Sequence, residues 1–420
     1  MRAIETINLR LEARRGHYTE KWNDMPTRPC WVEICPRALE DNFRFLKQAA
    51  GQAELLAIVK ANAYGHSLAL CAPAAARAGA RWLGVTSVEE GVAARAVCPD
   101  AQILIISGVF RGQGGDVIRH ALTSVVWEKW QLAELEGAAT IGTRPIRVHL
   151  EIDTGMSRQG AGRDDLPPLL ARLGAGSPLQ LDGIMTHLFA ADEADGAVTR
   201  EQLVRLAEAL DAIRAAGLQP EWLNVGNSAA LLSDQAETIA ELAGRFGMKA
   251  LIRPGLALYG LVPRFNPPFA GSGPAVLTSM REQLRPVLSW KTQVVALRSV
   301  AAGTSVGYNG TFVATEPMRL ALLAVGYADG LDRKLGNRFS LLVRGQRAPL
   351  VGRISMDQAV LDVTGIEGVA TGDEVVILGS QGEEIVSAFD HADAAGTIPW
   401  EIFTRIGARV TRIPVEGSYG

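Results

Sequence analysis

From about residue 30 to residue 262, short apolar stretches alternate with longer segments whose apolar residues recur every three or four positions. "CWVEI", "ELLAIVKA", "RWLGVTS", "QILIISG", "TSVVW", "IRVHLEID", "LDGIMTHL", "WLNVGNSAALL" and "LIRPGLALYGL" read as strands. "RALEDNFRFLKQAA", "SLALCAPAAARAG", "VEEGVAARAV" and "REQLVRLAEALDAIRAAG" read as helices between them. Apolar strands separated by helices predict βαβ units and a parallel sheet. About eight such units predict a closed (β/α)8 barrel, a TIM-type α/β fold. An open doubly wound sheet fits less well, because no G-x-G-x-x-G follows an early strand.

The pattern changes after the Pro/Gly/Ser-rich "VPRFNPPFAGSGPA", residues 262–275. Strands dominate beyond it, as in "VLSWKTQVVALRSV", "MRLALLAVGYA", "QAVLDVT" and "DEVVILG", and helical pattern is confined to 387–394 and 399–407. The expected organisation is an N-terminal extension over 1–28, a barrel over 29–278 and a mostly-β domain over 279–420.

Composition adds exclusions. Hydrophobic residues make up 48% of 420, enough for two cores. The 42 basic and 45 acidic residues nearly cancel, which argues against a nucleic-acid partner or an anionic membrane surface. The charged N-terminus lacks the apolar core of a signal peptide, and runs such as Leu320–Val325 are too short to span a bilayer. Cys30 and Cys35 have no second Cys or His pair to complete a zinc site, and Cys71 and Cys98 stand apart. Reduced thiols, no metal and a cytoplasmic location are expected.

The chemistry begins at "AIVKANAYGH", residues 57–66. Lys60 ends an apolar strand, where a barrel keeps its site. It either snorkels to solvent or serves as a Schiff-base lysine for pyridoxal phosphate. Tyr64 is one turn away and could reach a phosphate oxygen. Alternation in "HLEIDTGMSR" puts His149, Glu151 and Asp153 on one face, expected to be the barrel interior. Ser228 reads equally well as a helix N-cap or an anion ligand. Gly255 permits close backbone approach.

"AIVKANAYGH" resembles the cofactor-attachment motif of alanine racemases. The resemblance continues in order through "IDTGMSRQG", "GIMTHLFAADE", "NVGNSAALL", "IRPGLALYG", "TSVGYNGTF", "VGYADG" and "GRISMDQAVLDVT". It implies a pyridoxal-phosphate-binding barrel followed by a β domain. It also implies a homodimer with shared active sites, and interconversion of L- and D-alanine by two-base proton transfer. Lys60 is then the attachment residue and one base, and Tyr308 of the other subunit is the second. Tyr64, Ser228, Gly255 and Leu256 are implied phosphate ligands. Arg253 is implied to face the pyridine nitrogen, where a cation that cannot accept a proton would favour racemisation over transamination. Arg158, helped by Asn227, is implied near the ring oxygen and the substrate carboxylate. His187 would pack on the ring, the Met356 backbone N–H with Asp357 would hold substrate, and Tyr327 would line the entrance.

Several positions depart from the family pattern. Glu151 stands where many members carry a carbamylated lysine, so it is expected to orient Arg158 directly. Ala408 and Trp400 each replace a tyrosine, Ser355 replaces a cysteine, and the small Ala408 is expected to widen the pocket. Serine or broad amino-acid specificity stays open beside alanine. A related decarboxylase fits less well, given Tyr308, "GYADG" and "SMDQ".

Overall fold

The computed structural model describes residues 27–139 and 145–417. The extension expected over 1–28 falls almost wholly outside them. Eight parallel strands close a barrel: Glu54–Ile58, Trp82–Val85, Gln102–Ile105, Thr123–Val126, Ile146–Glu151, Leu179–Met185, Trp222–Asn224 and Lys249–Ile252. Leu55 of the first strand pairs with Ile252 of the last. Residues such as Leu55, Leu56, Ala57 and Leu83 are essentially inaccessible to solvent, as expected of strands covered on both faces.

Helix Pro36–Ala49 illustrates how the outer layer is held. Proline sits in its first turn, the Cys35 thiol caps Ala38 N–H, and Ala38, Leu39, Asn42, Phe43 and Leu46 form one buried stripe. Each large apolar member contributes roughly 1.5–3 kcal/mol on burial. Asn42 bonds the Leu258 and Arg285 carbonyls and accepts from Arg285 N–H, which pins the helix to the chain leaving the barrel.

The strand Cys30–Ile34 corrects the sequence reading. It does not open the barrel. It pairs antiparallel with Leu288–Val300 and parallel with Thr411–Pro414, inside the nine-stranded sheet of the second domain. An apolar five-residue segment fits either sheet, and only partners hundreds of residues away decide between them. The helix Ala275–Gln283, which starts at the last residue of the expected linker, is also not apparent from the pattern. The two helices expected near the C-terminus are Ala388–Ala395 and Pro399–Thr404. The second packs onto the barrel mouth, where Phe403 O would lie 2.3 Å from a Cβ at Gly65. Among the described residues no helix is long and apolar enough to cross a membrane.

Candidate active site

Lys60 does not end its strand; it opens a single turn of left-handed helix. Ala61, Asn62, Ala63 and Tyr64 all have φ between 52° and 57°. For residues with a Cβ this costs roughly 1–2 kcal/mol each. The turn persists because its surroundings over-determine it. Ala63 N–H bonds Val59 O at 2.8 Å, and Gly65 N–H bonds Ala61 O at 2.9 Å. Glu90 accepts from Asn62 N–H and Thr86 N–H, Asn62 Oδ1 accepts from Leu68 N–H, and Arg412 Nε donates to Gly65 O. The buried His66 ring lies 4.4 Å from Tyr259 and 4.8 Å from Phe403, and burial lowers its pKa to about 4. The strained turn presents Lys60 and Tyr64 to one cavity.

That cavity has a volume of about 710 Å³ and opens at the C-terminal ends of the barrel strands. Its wall includes Lys60, Tyr64, Arg158, His187, Asn227, Ser228, Arg253, Gly255 and Leu256. At one end Ser228 Oγ accepts from Gly255 N–H at 3.0 Å and Ala257 N–H at 3.2 Å. The Ala257 N–H was not singled out from sequence. Asn227, not Ser228, caps the short helix Ser228–Leu232, through Ala230 N–H. Burial raises the Tyr64 phenol to about 12, so it is a neutral donor at physiological pH.

At the other end the charges are mostly positive. Arg253 is buried and donates to Asn224 O, Asn224 Oδ1, Thr186 O and His187 Nδ1, at 2.7, 2.6, 2.9 and 3.1 Å. Burial lowers it to about 10, which leaves it a cation. Burial, then Arg158 and Arg253, lower Lys60 below the usual ammonium range, which favours a free amine. The same groups follow burial in taking His187 to about 3, so its imidazole is neutral.

Glu151 is buried beneath this end, and burial raises it to about 7. It does not hold Arg158. Gln159 Nε2 donates to Glu151 Oε2 at 2.6 Å and lies 3.2 Å from Ile106 O. Gln159 lines the cavity and was missed, because a glutamine beside an arginine carries no signal until the loop folds back on its strand. Asp153 lies beyond the strand end and caps Gly155 and Ser157 N–H groups, so it leaves the interior face expected for it. Trp400 lines the cavity. Ala408 is exposed and does not, so within one subunit it widens nothing.

Tyr308, Tyr327, Met356 and Asp357 also lie away from this cavity. Tyr308 is 68% exposed, Met356 53% and Tyr327 43%. Their loops touch one another: Gly307 packs on Arg353, and Tyr327 N–H bonds Ser355 O. The buried Asp329 carboxylate joins Arg28 and Arg409, and Arg409 reaches Asp357 at 2.7 Å. The result is an exposed, partly aromatic patch on a rigid frame.

Residues 34–263 match the family model "Alanine racemase, N-terminal domain", and 287–414 match "Alanine racemase, C-terminal domain". The alanine racemase of Symbiobacterium thermophilum is 38% identical, covering 92% of this chain and 97% of that protein. The crystal structure of alanine racemase from D-cycloserine-producing Streptomyces lavendulae superposes with a TM-score of 0.82 at 34% identity, covering 94% of this chain and 98% of that one. The structure from Bartonella henselae, with covalently bound pyridoxal phosphate, gives 0.77 at 27% identity, covering 92% and 99%. With both domains matched and nearly full-length relatives, the chain belongs to the alanine racemase family, whose cofactor is pyridoxal phosphate.

Proposed function

We propose that this chain interconverts L- and D-alanine in a homodimer, each site combining one barrel cavity with Tyr308 of the partner subunit. The observation that carries the reading is the convergence of Lys60, Tyr64, Arg158, Ser228, Arg253 and Gly255, from separate strand ends, on one cavity.

The residues fit pyridoxal phosphate. A Cβ at Gly255 would come within 2.5 Å of Tyr64 Oη, so the bare glycine keeps a cradle open beside a phenol and the Ser228 hydroxyl. Backbone N–H groups and two hydroxyls suit a phosphate. Lys60 would hold the cofactor covalently, and Arg253 would face its ring nitrogen. When bound, the cofactor supplies an electron-withdrawing ring that acidifies the Cα–H of an attached amino acid.

The chain's own residues do the rest. Lys60 Nζ, depressed toward the free amine, takes or returns the Cα proton on one face. Tyr308 of the partner subunit serves the opposite face. Arg158 orients the substrate carboxylate, with Met356 and Asp357 of the partner subunit closing on it and Tyr327 of the partner subunit at the entrance. Arg253 has only neutral acceptors, so it keeps its charge and disfavours a second charge on the ring opposite. The neutral His187 imidazole can pack against the ring without adding a cation. The exposed Tyr308–Tyr327–Met356 patch supports the dimer, because such side chains at solvent mark an interaction surface.

Subunit complementation tests both halves of the proposal. Lys60→Ala and Tyr308→Phe dimers are each expected to be inactive in racemisation. Unfolding and refolding them together gives about half heterodimers with one intact site each, so about a quarter of wild-type activity should return. Mixtures that stay inactive, although differently tagged chains co-purify as mixed dimers, would refute the shared site.

A further inference from the structure

We infer that Asp182, His149 and Asn224 form a buried positioning chain that fixes the orientation of Arg253. The inference rests on the proposed role of Arg253 opposite the cofactor.

All three side chains are excluded from solvent, with exposures of 3%, 0% and 0%. Arg253 Nη1 uses Asn224 Oδ1 as an acceptor at 2.6 Å. The Asn224 amide therefore turns its NH₂ away, toward His149 Nδ1 at 3.4 Å. A ring nitrogen that accepts from an amide carries no proton. The proton of neutral His149 must then sit on Nε2, which faces Asp182 Oδ2 at 3.6 Å. Neither atom has a hydrogen-bond partner among the described residues, and the two face each other just beyond hydrogen-bond length, as an N–H and a carboxylate oxygen that attract electrostatically. The direction of every donor from Asp182 to Arg253 follows from the guanidinium at the cavity end.

The barrel makes room for this ring. His149 lies flat over Gly183, and a Cβ there would come within 2.6–2.8 Å of three imidazole atoms. The strand pairing slips register at His149, between Val148 and His149. Trp82 meets the ring edge-on at 5.6 Å. The ring cannot rotate, so its lone pair stays aimed at Asn224. If that acceptor were lost, Asn224 could flip and offer Arg253 an NH₂ in place of its oxygen. Burial supports the neutral ring by lowering its pKa.

The test has two readouts. In ¹⁵N NMR of the wild-type apoprotein, His149 should be a neutral ring protonated on Nε2. This needs neither cofactor nor turnover, so it fails separately from the proposed activity. In the second readout, His149→Phe and His149→Gln are titrated with pyridoxal phosphate and assayed. Loss of the acceptor in the Phe variant should weaken cofactor retention and kcat about tenfold, with KM unchanged. Glutamine can accept from Asn224 and donate to Asp182, so it should restore most of both. A ring protonated on Nδ1, or Phe and Gln variants equally impaired, would overturn the proposal.

Discussion

The Tyr64 phenol lies directly over the bare α-carbon of Gly255, so close that a methyl group there would come within 2.5 Å of its oxygen. Gly255 has φ of −108°, outside the left-handed region that selects for glycine. The steric requirement comes from Tyr64. Gly255→Ala should displace Tyr64, destabilise the fold by about 1–3 kcal/mol through overpacking and weaken pyridoxal phosphate binding at least tenfold. Fluorescence titration with the cofactor checks this. Unchanged affinity would mean that Tyr64 does not shape the cradle.

Ala61 has the opposite expectation. It is exposed, with φ of 53°, at the start of the left-handed turn. Glycine carries no Cβ penalty there, so Ala61→Gly should stabilise the protein by about 1 kcal/mol. Chemical denaturation measures the gain, and a loss of stability would mean that the turn is not strained.

Glu151 makes stability depend on pH. Its folded pKa is about 7, raised by burial from an ordinary 4.5. A raised folded pKa favours the native state below the unfolded value, and that contribution is lost as pH climbs through the folded one. Between about pH 4.5 and 7 the protein should therefore lose roughly 3 kcal/mol from this group. Glu151→Gln should remove that slope while keeping a bond to Gln159. Urea melts of the apoprotein at about pH 5 and pH 8 decide it; identical pH slopes in both proteins would sink the assignment.

Asp329 holds the frame beneath Tyr327 and Met356. Its carboxylate is fully buried against Arg28 and Arg409 and also accepts from Gly326 N–H. Breaking a buried ion pair costs about 3–5 kcal/mol, but both guanidinium groups reach solvent, so Asp329→Ala should cost about 2. If the patch completes the partner's site, KM for alanine should rise several-fold. A variant that is less stable yet binds substrate normally would confine Asp329 to a structural role.

The βα alternation, the change of pattern after residue 262 and a lysine beside a strand end were legible in the chain itself. So was the ordered run of motifs from "AIVKANAYGH" to "GRISMDQ". Periodicity, turn composition and residue type are local properties, and they survive being read one residue at a time. Tertiary structure alone decided that Cys30–Ile34 leaves the barrel for the second sheet, because both sheets accept the same apolar pattern. It decided the left-handed sense of Ala61–Tyr64, which intrinsic preference opposes and surrounding hydrogen bonds enforce. It gave Glu151 to Gln159 and not to Arg158, and it aligned Asp182, His149 and Asn224 behind Arg253. Each of these outcomes depends on groups brought within a few ångströms by folding, and such proximity has no trace in sequence spacing.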